Sequence, residues 1–258
     1  MKFTELTAAM APAEGGFAAT ISENWLQGRT TYGGLSAALC LEGALRTFPD
    51  LPPLRSAQIS YVGPVGGPIV VKSEMLRRGK NVAFVNADLF SGTGLATRAV
   101  FAFGSERAPA VEATFLPMRD FPPPEDVRAP KPERLPVFAR NFDMRYLTGG
   151  RPFSGSRDCD IFLWLRHGDE NATTLPALLA LADMPPPAIL PLMPNAGPIS
   201  TINWALNFLS DDPLDNGWKL METRAESASA GYSSQDMFLW RRDGAPLIAA
   251  RQCVAVFL

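Results

Sequence analysis

A strongly apolar segment with a helical pattern runs from Thr30 to Phe48 and contains a pair of glycines near its start. Between Leu35 and Leu45 only Ser36 and Glu42 are polar, whereas a helix on a protein surface carries polar residues along one whole side. The pattern therefore predicts a helix that is surrounded by other elements. In a chain of 258 residues, a strongly curved sheet wrapped around the helix is the simplest way to enclose it.

A second helix of the same kind is predicted from Thr174 to Asp183, in the sequence TLPALLALAD. Thr173 or Thr174 provides an N-cap side chain, and Pro176 suits the first turn of a helix. Three prolines at 185–187 follow and cannot continue a helix. Because this segment is also apolar on nearly every side, it too is expected to be enclosed by a sheet.

Short apolar or alternating runs predict the strands of the surrounding sheets. In the first half, the predicted strands cover 17–25, 54–62, 69–77, 82–90 and 95–103. In the second half they cover 142–148, 159–166, 199–209, 218–229, 232–240 and 247–257. Glycine-containing turns such as GPVGGP and RRGKN separate consecutive strands, which favours antiparallel sheets.

The same order of elements appears on both sides of a proline-rich segment, so we predict two copies of one helix-plus-sheet unit. Eight prolines lie between Ser105 and Asn141, too many for a regular element. Superposing Gly79 on Gly231 relates the copies by an offset of about 150 residues. The predicted organisation is an N-terminal unit at 1–104, a linker at 105–141 and a C-terminal unit at 142–258.

The composition excludes several classes of function. A formal net charge of −2 gives no basic excess for binding nucleic acid, and no stretch reaches the ~18 apolar residues of a membrane span. His167 is the only histidine, so neither a histidine relay nor a multi-histidine metal site is expected. Cys40, Cys159 and Cys253 lack disulfide or metal-ligand spacing and are predicted to be buried, reduced thiols. Since the start has no signal-peptide pattern, we predict a cytoplasmic protein without metal or redox cofactor.

Three segments carry a resemblance to a known family. They are Tyr32-Gly33-Gly34 with Ala37-Ala38, LRSAQISYVGPVGGPIVVKSEMLRRGKN at 54–81, and GYSSQDMFLWRRDGAPLIAARQCVAVF at 231–257. Together with the duplicated pattern, they resemble the double hot-dog proteins of the acyl-CoA thioesterase II and acyl-CoA thioesterase-like family. The resemblance implies an α+β fold of two tandem units, each with an antiparallel curved sheet wrapped around a long apolar helix.

The resemblance also implies a catalytic site. In the enzymes of this family, an Asp, a Ser or Thr, and a Gln on strands of the second half position a water that attacks the thioester carbonyl. Gln252 falls on the Gln position, and the Ser or Thr position falls on Glu226 or, with a shift of one residue, on Ser227. Asn203 occupies the position of the Asp. Because an amide can orient water but cannot take its proton, general-base catalysis would pass to Glu226 or be lost.

Each candidate residue also has a purely structural interpretation. Gly33 and Gly34, after Tyr32, open the first helix, where N–H groups can bind a thioester oxygen as an oxyanion hole or where glycines only permit a tight turn. Asn203 lies on a strand face that carries another amide, and this face either lines a cavity or is exposed to solvent. Gln252 shares its strand face with apolar residues, so its amide either fixes a water or carbonyl or bonds to neighbouring backbone.

We therefore expect an acyl-CoA thioesterase of fatty acid metabolism that hydrolyses a fatty acyl-CoA to free acid and CoA by attack of an oriented water. Because Asn203 replaces the acid, the alternative is an acyl-CoA- or lipid-binding protein with little or no hydrolytic activity. A hot-dog hydratase would require an Asp/His pair, and His167 lies at a strand end. The basic turn at 77–80 is a candidate for contact with the phosphates of CoA. The expected partners are acyl-CoA and further copies of the chain, in a dimer or higher oligomer whose single chain already contains a complete site.

Overall fold

The computed structural model describes residues 1–92, 94–210 and 215–257. In the N-terminal half, the elements are α1 (Phe3–Ala8), β1 (Ala11–Ala13), β2 (Gly16–Thr20), β3 (Leu26–Gln27), β4 (Thr30–Thr31), α2 (Gly33–Thr47), β5 (Leu54–Tyr61), β6 (Pro68–Arg78), β7 (Val82–Ser91) and β8 (Gly94–Gly104). In the C-terminal half, they are β9 (Phe142–Thr148), β10 (Asp160–His167), α3 (Leu175–Ala182), β11 (Ile199–Phe208), β12 (Lys219–Ser229), β13 (Tyr232–Arg241) and β14 (Pro246–Val256).

The long strands of both halves form one antiparallel sheet of 12 strands within the described part of the chain, in the order β1-β2-β6-β7-β8-β5-β11-β14-β13-β12-β10-β9. The first six strands in this order come from the N-terminal half and the last six from the C-terminal half. The two halves are joined where β5 pairs with β11, with Ile59 opposite Trp204. This is the double hot-dog α+β fold, with two units side by side in a continuous sheet.

Helix α2 is enclosed, as its apolar sequence predicts. Its residues from Gly34 to Leu41 are all buried, and it lies against α3 and strands β6, β7 and β8. A Cβ atom at Gly43 would lie only 2.5 Å from Cγ1 of Val71, so this glycine permits close packing of the helix on the sheet. Glu42 and Arg46, one turn apart on α2, form an ion pair at 2.6 Å on the more exposed edge of the helix.

Helix α3 begins and ends as its capping residues predict. The side chain of Thr174 accepts a hydrogen bond from the backbone N–H of Ala177 at 3.3 Å, and Pro176 lies in the first turn. The helix ends at Ala182, one residue before the predicted end. Its C-terminal end lies against the N-terminal end of α2, because the hydroxyl of Tyr32 donates to the carbonyl of Ala180 at 2.6 Å.

Residues 105–141 contain no α-helix or β-strand, only short 3₁₀ turns at Pro124–Asp126, Pro132–Arg134 and Phe138–Asn141. The first part of this linker docks on the C-terminal unit. The indole N–H of Trp240 donates to the carbonyl of Leu116 at 3.0 Å, and that of Trp164 donates to the carbonyl of Pro122 at 2.9 Å. The linker is therefore held in place and positions its second part, residues 124–141, beside the region where α2 and α3 meet.

One expectation about the N-terminal segment needs correction. The strand predicted at 17–25 ends at Thr20 and gives way to a 3₁₀ turn at Glu23–Trp25. Trp25 is fully buried and its indole N–H donates to the carbonyl of Met1 at 3.2 Å, so a tertiary contact overrides the strand pattern. Helix α1 had no prediction. No helix within the described residues has the length and apolar character needed to cross a membrane.

Candidate active site

The candidate active site is centred on Asp183, the residue that directly follows α3. The side-chain amide of Gln252 donates to Oδ1 of Asp183 at 2.5 Å, and the backbone amide of Gly34 also hydrogen-bonds to this carboxyl group. Desolvation by the surrounding protein raises the pKa of Asp183 to about 7, although both hydrogen bonds lower it. Asp183 is therefore partly ionised near neutral pH, where a carboxylate with this pKa can accept a proton from water.

A second buried amide, Gln235 on β13, fixes the orientation of Gln252. The two residues lie opposite each other in the sheet, and Nε2 of Gln235 donates to Oε1 of Gln252 at 2.9 Å. The backbone N–H of Ala188 donates to Oε1 of Gln235 at 2.7 Å. Because a backbone N–H can only donate, Gln235 must turn its oxygen to Ala188 and its NH₂ group to Gln252. Gln252 must in turn present its NH₂ group to Asp183, which leaves one of the two hydrogens on Nε2 for another acceptor.

The N-terminus of α2 approaches this carboxylate closely. A Cβ atom at Gly33 would lie 3.0 Å from Oδ2 of Asp183, and one at Gly34 would lie 2.5 Å from the hydroxyl oxygen of Tyr32 and 2.8 Å from the carbonyl oxygen of Ala180. Neither glycine has a positive φ. The pair is therefore needed for close contact between α2 and α3 and not for an unusual turn. The positive end of the α2 dipole and the N–H of Gly34 face the carboxylate of Asp183.

A cavity of about 1030 Å³ opens beside these groups. Tyr32, Asp183 and Gln252 line it, together with residues of the linker and of both units. Its apolar wall includes Phe138, Met144, Met184, Pro186, Leu190 and Ile199. A large, mostly apolar cavity with a few convergent polar groups is typical of a small-molecule binding site.

Comparison with family models identifies the chain. Residues 21–104 match the acyl-CoA thioesterase N-terminal domain, and residues 118–256 match the acyl-CoA thioesterase C-terminal domain. The chain belongs to the acyl-CoA thioesterase family. A comparison with curated protein sequences finds no match.

Solved structures share the fold of this family member over its whole length. A conserved hot-dog protein of unknown function from Alicyclobacillus acidocaldarius is 23% identical, with a TM-score of 0.90 and coverage of 99% of this chain and 98% of that one. A putative thioesterase II from Thermobifida fusca is 18% identical, with a TM-score of 0.83 and coverage of 99% and 97%. An acyl-CoA thioesterase II from Mycobacterium marinum is 15% identical, with a TM-score of 0.77 and coverage of 99% and 98%.

Within this thioesterase fold, Gln252 lies where the strand pattern predicts, but Asn203 does not lie beside it. Gln252 is 3% exposed and faces the cavity. Its partner in the sheet is the buried Trp204, so the adjacent and exposed Asn203 lies on the opposite face of β11. The structure therefore does not bring Asn203 beside Gln252, and the carboxyl group that Gln252 contacts is that of Asp183.

Glu226 and Ser227 do not line the cavity that Gln252 faces. Both are exposed on β12, and Glu226 forms an ion pair with Arg251 and accepts a hydrogen bond from Ser234 at 3.2 Å. Arg251 precedes Gln252 and points to the other face of the same strand. Glu226 therefore belongs to an ion-pair network on the outer surface of β12 and β14.

The structure places the three residues predicted at the start of α2 beside Asp183. Tyr32, Gly33 and Gly34 do lie at the site, but the N–H of Gly34 is engaged by the carboxylate of Asp183. It is therefore occupied by a carboxylate and does not serve as an open oxyanion hole in this arrangement.

His167 is a structural residue of the C-terminal unit. It is 3% exposed, and its Nε2 lies 2.7 Å from the carbonyl oxygen of Ala177. Burial lowers the pKa of His167 to about 4, so the imidazole is neutral at physiological pH. Because His167 does not line the cavity that contains Asp183, no Asp/His pair of the kind that a hydratase requires is formed between these two residues.

Two residues of the site, Asp183 and Gln235, carry no functional prediction from the sequence. The pattern assigns Asp183 only to the end of the second helix, although an acid at the C-terminal end of a helix is disfavoured by the helix dipole. Gln235 lies on the buried face of β13, which it shares with Met237 and Leu239, and it is 1% exposed. The same signal that singled out Gln252, a polar residue on an apolar strand face, applies to Gln235.

Proposed function

We propose that this protein is an acyl-CoA thioesterase that hydrolyses a fatty acyl-CoA to free fatty acid and CoA, with Asp183 as general base. Asp183 accepts a proton from a water molecule while the water oxygen bonds to the thioester carbon. The tetrahedral intermediate then collapses, the carbon–sulfur bond breaks, and the sulfur of CoA takes the proton from Asp183. No metal or redox cofactor takes part in this scheme.

Gln252 has the role of orienting the reactants. One hydrogen of its NH₂ group is donated to Asp183, and the other is available to the attacking water or to the thioester oxygen. Because the Gln235 amide fixes the direction of this group, little reorganisation is needed when the substrate binds. Fixed dipoles of this kind lower the barrier more than flexible ones do.

The observation that carries the proposal is a carboxyl group with a pKa of about 7, hydrogen-bonded to a buried glutamine at the edge of a large apolar cavity. The rival, a binding protein with little hydrolysis, rested on the assignment of an amide, Asn203, to the acid position. With Asp183 beside Gln252, that reason no longer applies. Hydrolysis of a fatty acyl-CoA is therefore the function that the site favours.

The test is release of CoA thiol from a series of acyl-CoAs of increasing chain length. Wild-type protein should release CoA, and Gln252→Ala should reduce kcat by about 10²-fold or more. Asn203→Ala is the matched control, since Asn203 is an exposed amide on the opposite sheet face, and its rate should equal that of wild type. Tight binding of a non-hydrolysable acyl-CoA analogue, without turnover at any chain length, would contradict the proposal and support the binding protein.

We also propose that one chain is sufficient for catalysis, although the protein forms a dimer or higher oligomer in the cytoplasm. Support comes from the origin of the site, because Gly34 belongs to the N-terminal unit and Asp183 and Gln252 to the C-terminal unit of the same chain. Light scattering and activity should be followed together across a dilution series. A stable monomer that is inactive, but gains activity per chain on concentration, would contradict this part of the proposal.

A further inference from the structure

Four cationic side chains line the cavity that contains Asp183. Arg128, Lys131 and Arg134 come from the linker, and Arg151 comes from the loop between β9 and β10. All four are exposed, in contrast to the buried Gln252 in the same cavity. These four residues are named the basic rim. The chain as a whole has a net charge of −2, so the positive charge at this cavity is a local feature.

The charges of the basic rim are not matched by acids at the cavity. Asp183 is the only acidic residue among those that line it in the described part of the chain. The nearby Glu125 of the linker forms an ion pair with Arg242 at 2.8 Å, so its carboxylate is paired outside the basic rim. Within the described residues, the three linker cations take part in no ion pair.

The fourth cation is held in place by an aromatic ring. The guanidinium carbon of Arg151 lies 3.7 Å from the centroid of the Tyr146 ring, and Tyr146 also lines the cavity. A stacked guanidinium keeps its N–H groups free for an anion. The rim therefore combines one arginine held by an aromatic ring with three cations of the linker at the same cavity.

Resting on the proposed function, we propose that the basic rim binds the phosphates of the CoA moiety and that the pantetheine arm then runs into the cavity to the Asp183–Gln252 pair. The shape and charge of the site match a ligand with a polyanionic head and an apolar tail. Arginine side chains bind phosphate through two parallel hydrogen bonds, which suits three of the four rim residues. The linker between the two units is thus a substrate-binding element.

The basic turn of the β6–β7 hairpin is a poorer candidate for the same role. Arg77 and Lys80 do not line the cavity, and Arg78 is paired with Asp50 at 2.9 Å. An acidic carrier protein that presents the same pantetheine arm is another conceivable partner. CoA is favoured because its head group carries several phosphates for the four cations that line one cavity, whereas the pantetheine arm of a carrier protein carries only one.

The test compares an acyl-CoA with the acyl-pantetheine that carries the same acyl chain but no phosphate. The variant replaces the linker cations together, as Arg128→Gln/Lys131→Gln/Arg134→Gln. We expect its kcat/KM for acyl-CoA to fall at least about tenfold through KM, with kcat nearly unchanged, because uniform binding of the head group is lost. Its kcat/KM for acyl-pantetheine should equal that of wild type.

The control is Arg77→Gln/Lys80→Gln, which removes exposed cations that lie outside the cavity and should change neither substrate's kinetics. Equal losses on both substrates, or a loss confined to the hairpin variant, would overturn the proposal. A loss seen with an acyl carrier protein thioester but not with acyl-CoA would overturn it in favour of a protein partner. Unchanged melting temperatures confirm that the variants are folded.

Calorimetric titration with CoA itself separates this inference from the proposed function. CoA contains the phosphates but no thioester, so its binding does not depend on hydrolysis. Weaker binding of CoA by the triple variant than by wild type would support the basic rim even if no acyl-CoA were hydrolysed. Equal dissociation constants would overturn the inference while leaving a thioesterase intact.

Discussion

Replacement of Asp183 by asparagine tests both the chemistry of the site and its electrostatics. If Asp183 is the general base, Asp183→Asn should lower kcat by about 10²–10⁴-fold at a pH near 8, because an amide cannot accept the proton of water. The same substitution removes an ionisable group from a desolvated position. It should therefore change the pH dependence of stability in a direction that can be worked out beforehand.

The magnitude follows from the pKa. Desolvation raises the pKa of Asp183 from 3.8 to about 7, and about 1.4 kcal/mol for each pH unit gives an upper limit of about 4 kcal/mol. Because the folded protein holds this proton more tightly than the unfolded chain, the stabilising contribution is complete below about pH 4. It is lost as the pH rises through about 7. Between those limits, wild type should lose up to this amount relative to the asparagine variant, because all other titrating groups are common to both proteins.

Urea unfolding of both proteins at about pH 4 and about pH 8 measures this difference. Any hydrogen bond that asparagine cannot reproduce costs the same free energy at both pH values and cancels from the comparison. Asp88→Asn is the control of opposite sign, because its hydrogen bond to Arg98 lowers the pKa of Asp88. If the stabilities of wild type and Asp183→Asn stayed parallel with pH, the inference that Asp183 titrates near neutrality would be refuted.

Three further predictions concern the same region. The kcat/KM for an acyl-CoA should rise with pH and level off above about pH 7 as Asp183 loses its proton; a flat profile would contradict this. Gln235→Leu should release the Gln252 amide and lower kcat by about 10²-fold through misorientation. It should also move the midpoint of the pH profile upward, since the Gln252 hydrogen bond lowers the pKa of Asp183. Loss of stability without a shifted midpoint would indicate a structural role only. Gly34→Ala should lower the free energy of unfolding by about 1–3 kcal/mol, measured in urea, whereas Gly66→Ala, with no atom within 4 Å of the new Cβ, should be near neutral.

The fold could be predicted from the sequence because its signals are long and repeated. The apolar helix beginning at the glycine pair is present as Gly33–Thr47, and the strand predicted at 142–148 is present as Phe142–Thr148. Each of these elements is specified by a hydrophobic pattern of several residues, and the patterns of neighbouring elements predict the same fold. Errors occur where a single tertiary contact decides the structure, as for Trp25, whose burial replaces a strand by a 3₁₀ turn.

The site was less predictable because it is assembled from distant parts of the chain. Asp183 and Gln252 are 69 residues apart, and Gly34 comes from the other unit. Alternation along β11 showed that Asn203 and Trp204 lie on opposite faces, but not which face is directed to the cavity. A polar residue on an apolar strand predicted the position of Gln252, while the role of Asp183 depends on a helix–helix contact that no local pattern encodes.

The pKa of Asp183 results from opposing effects, to which both units contribute. Asp183 lies at the C-terminal end of α3, where the helix dipole and desolvation both disfavour the charged form. The N–H of Gly34 at the positive end of α2, together with the Gln252 amide, favours that form. If only the first two effects acted, the carboxyl group would remain protonated at neutral pH and could not act as a base. If only the last two acted, it would be ionised but too weak a base. The pKa near 7 is therefore set by desolvation, offset by the hydrogen bonds from Gln252 and Gly34. Because Gly34 belongs to the N-terminal unit, this balance is reached only where the two units meet.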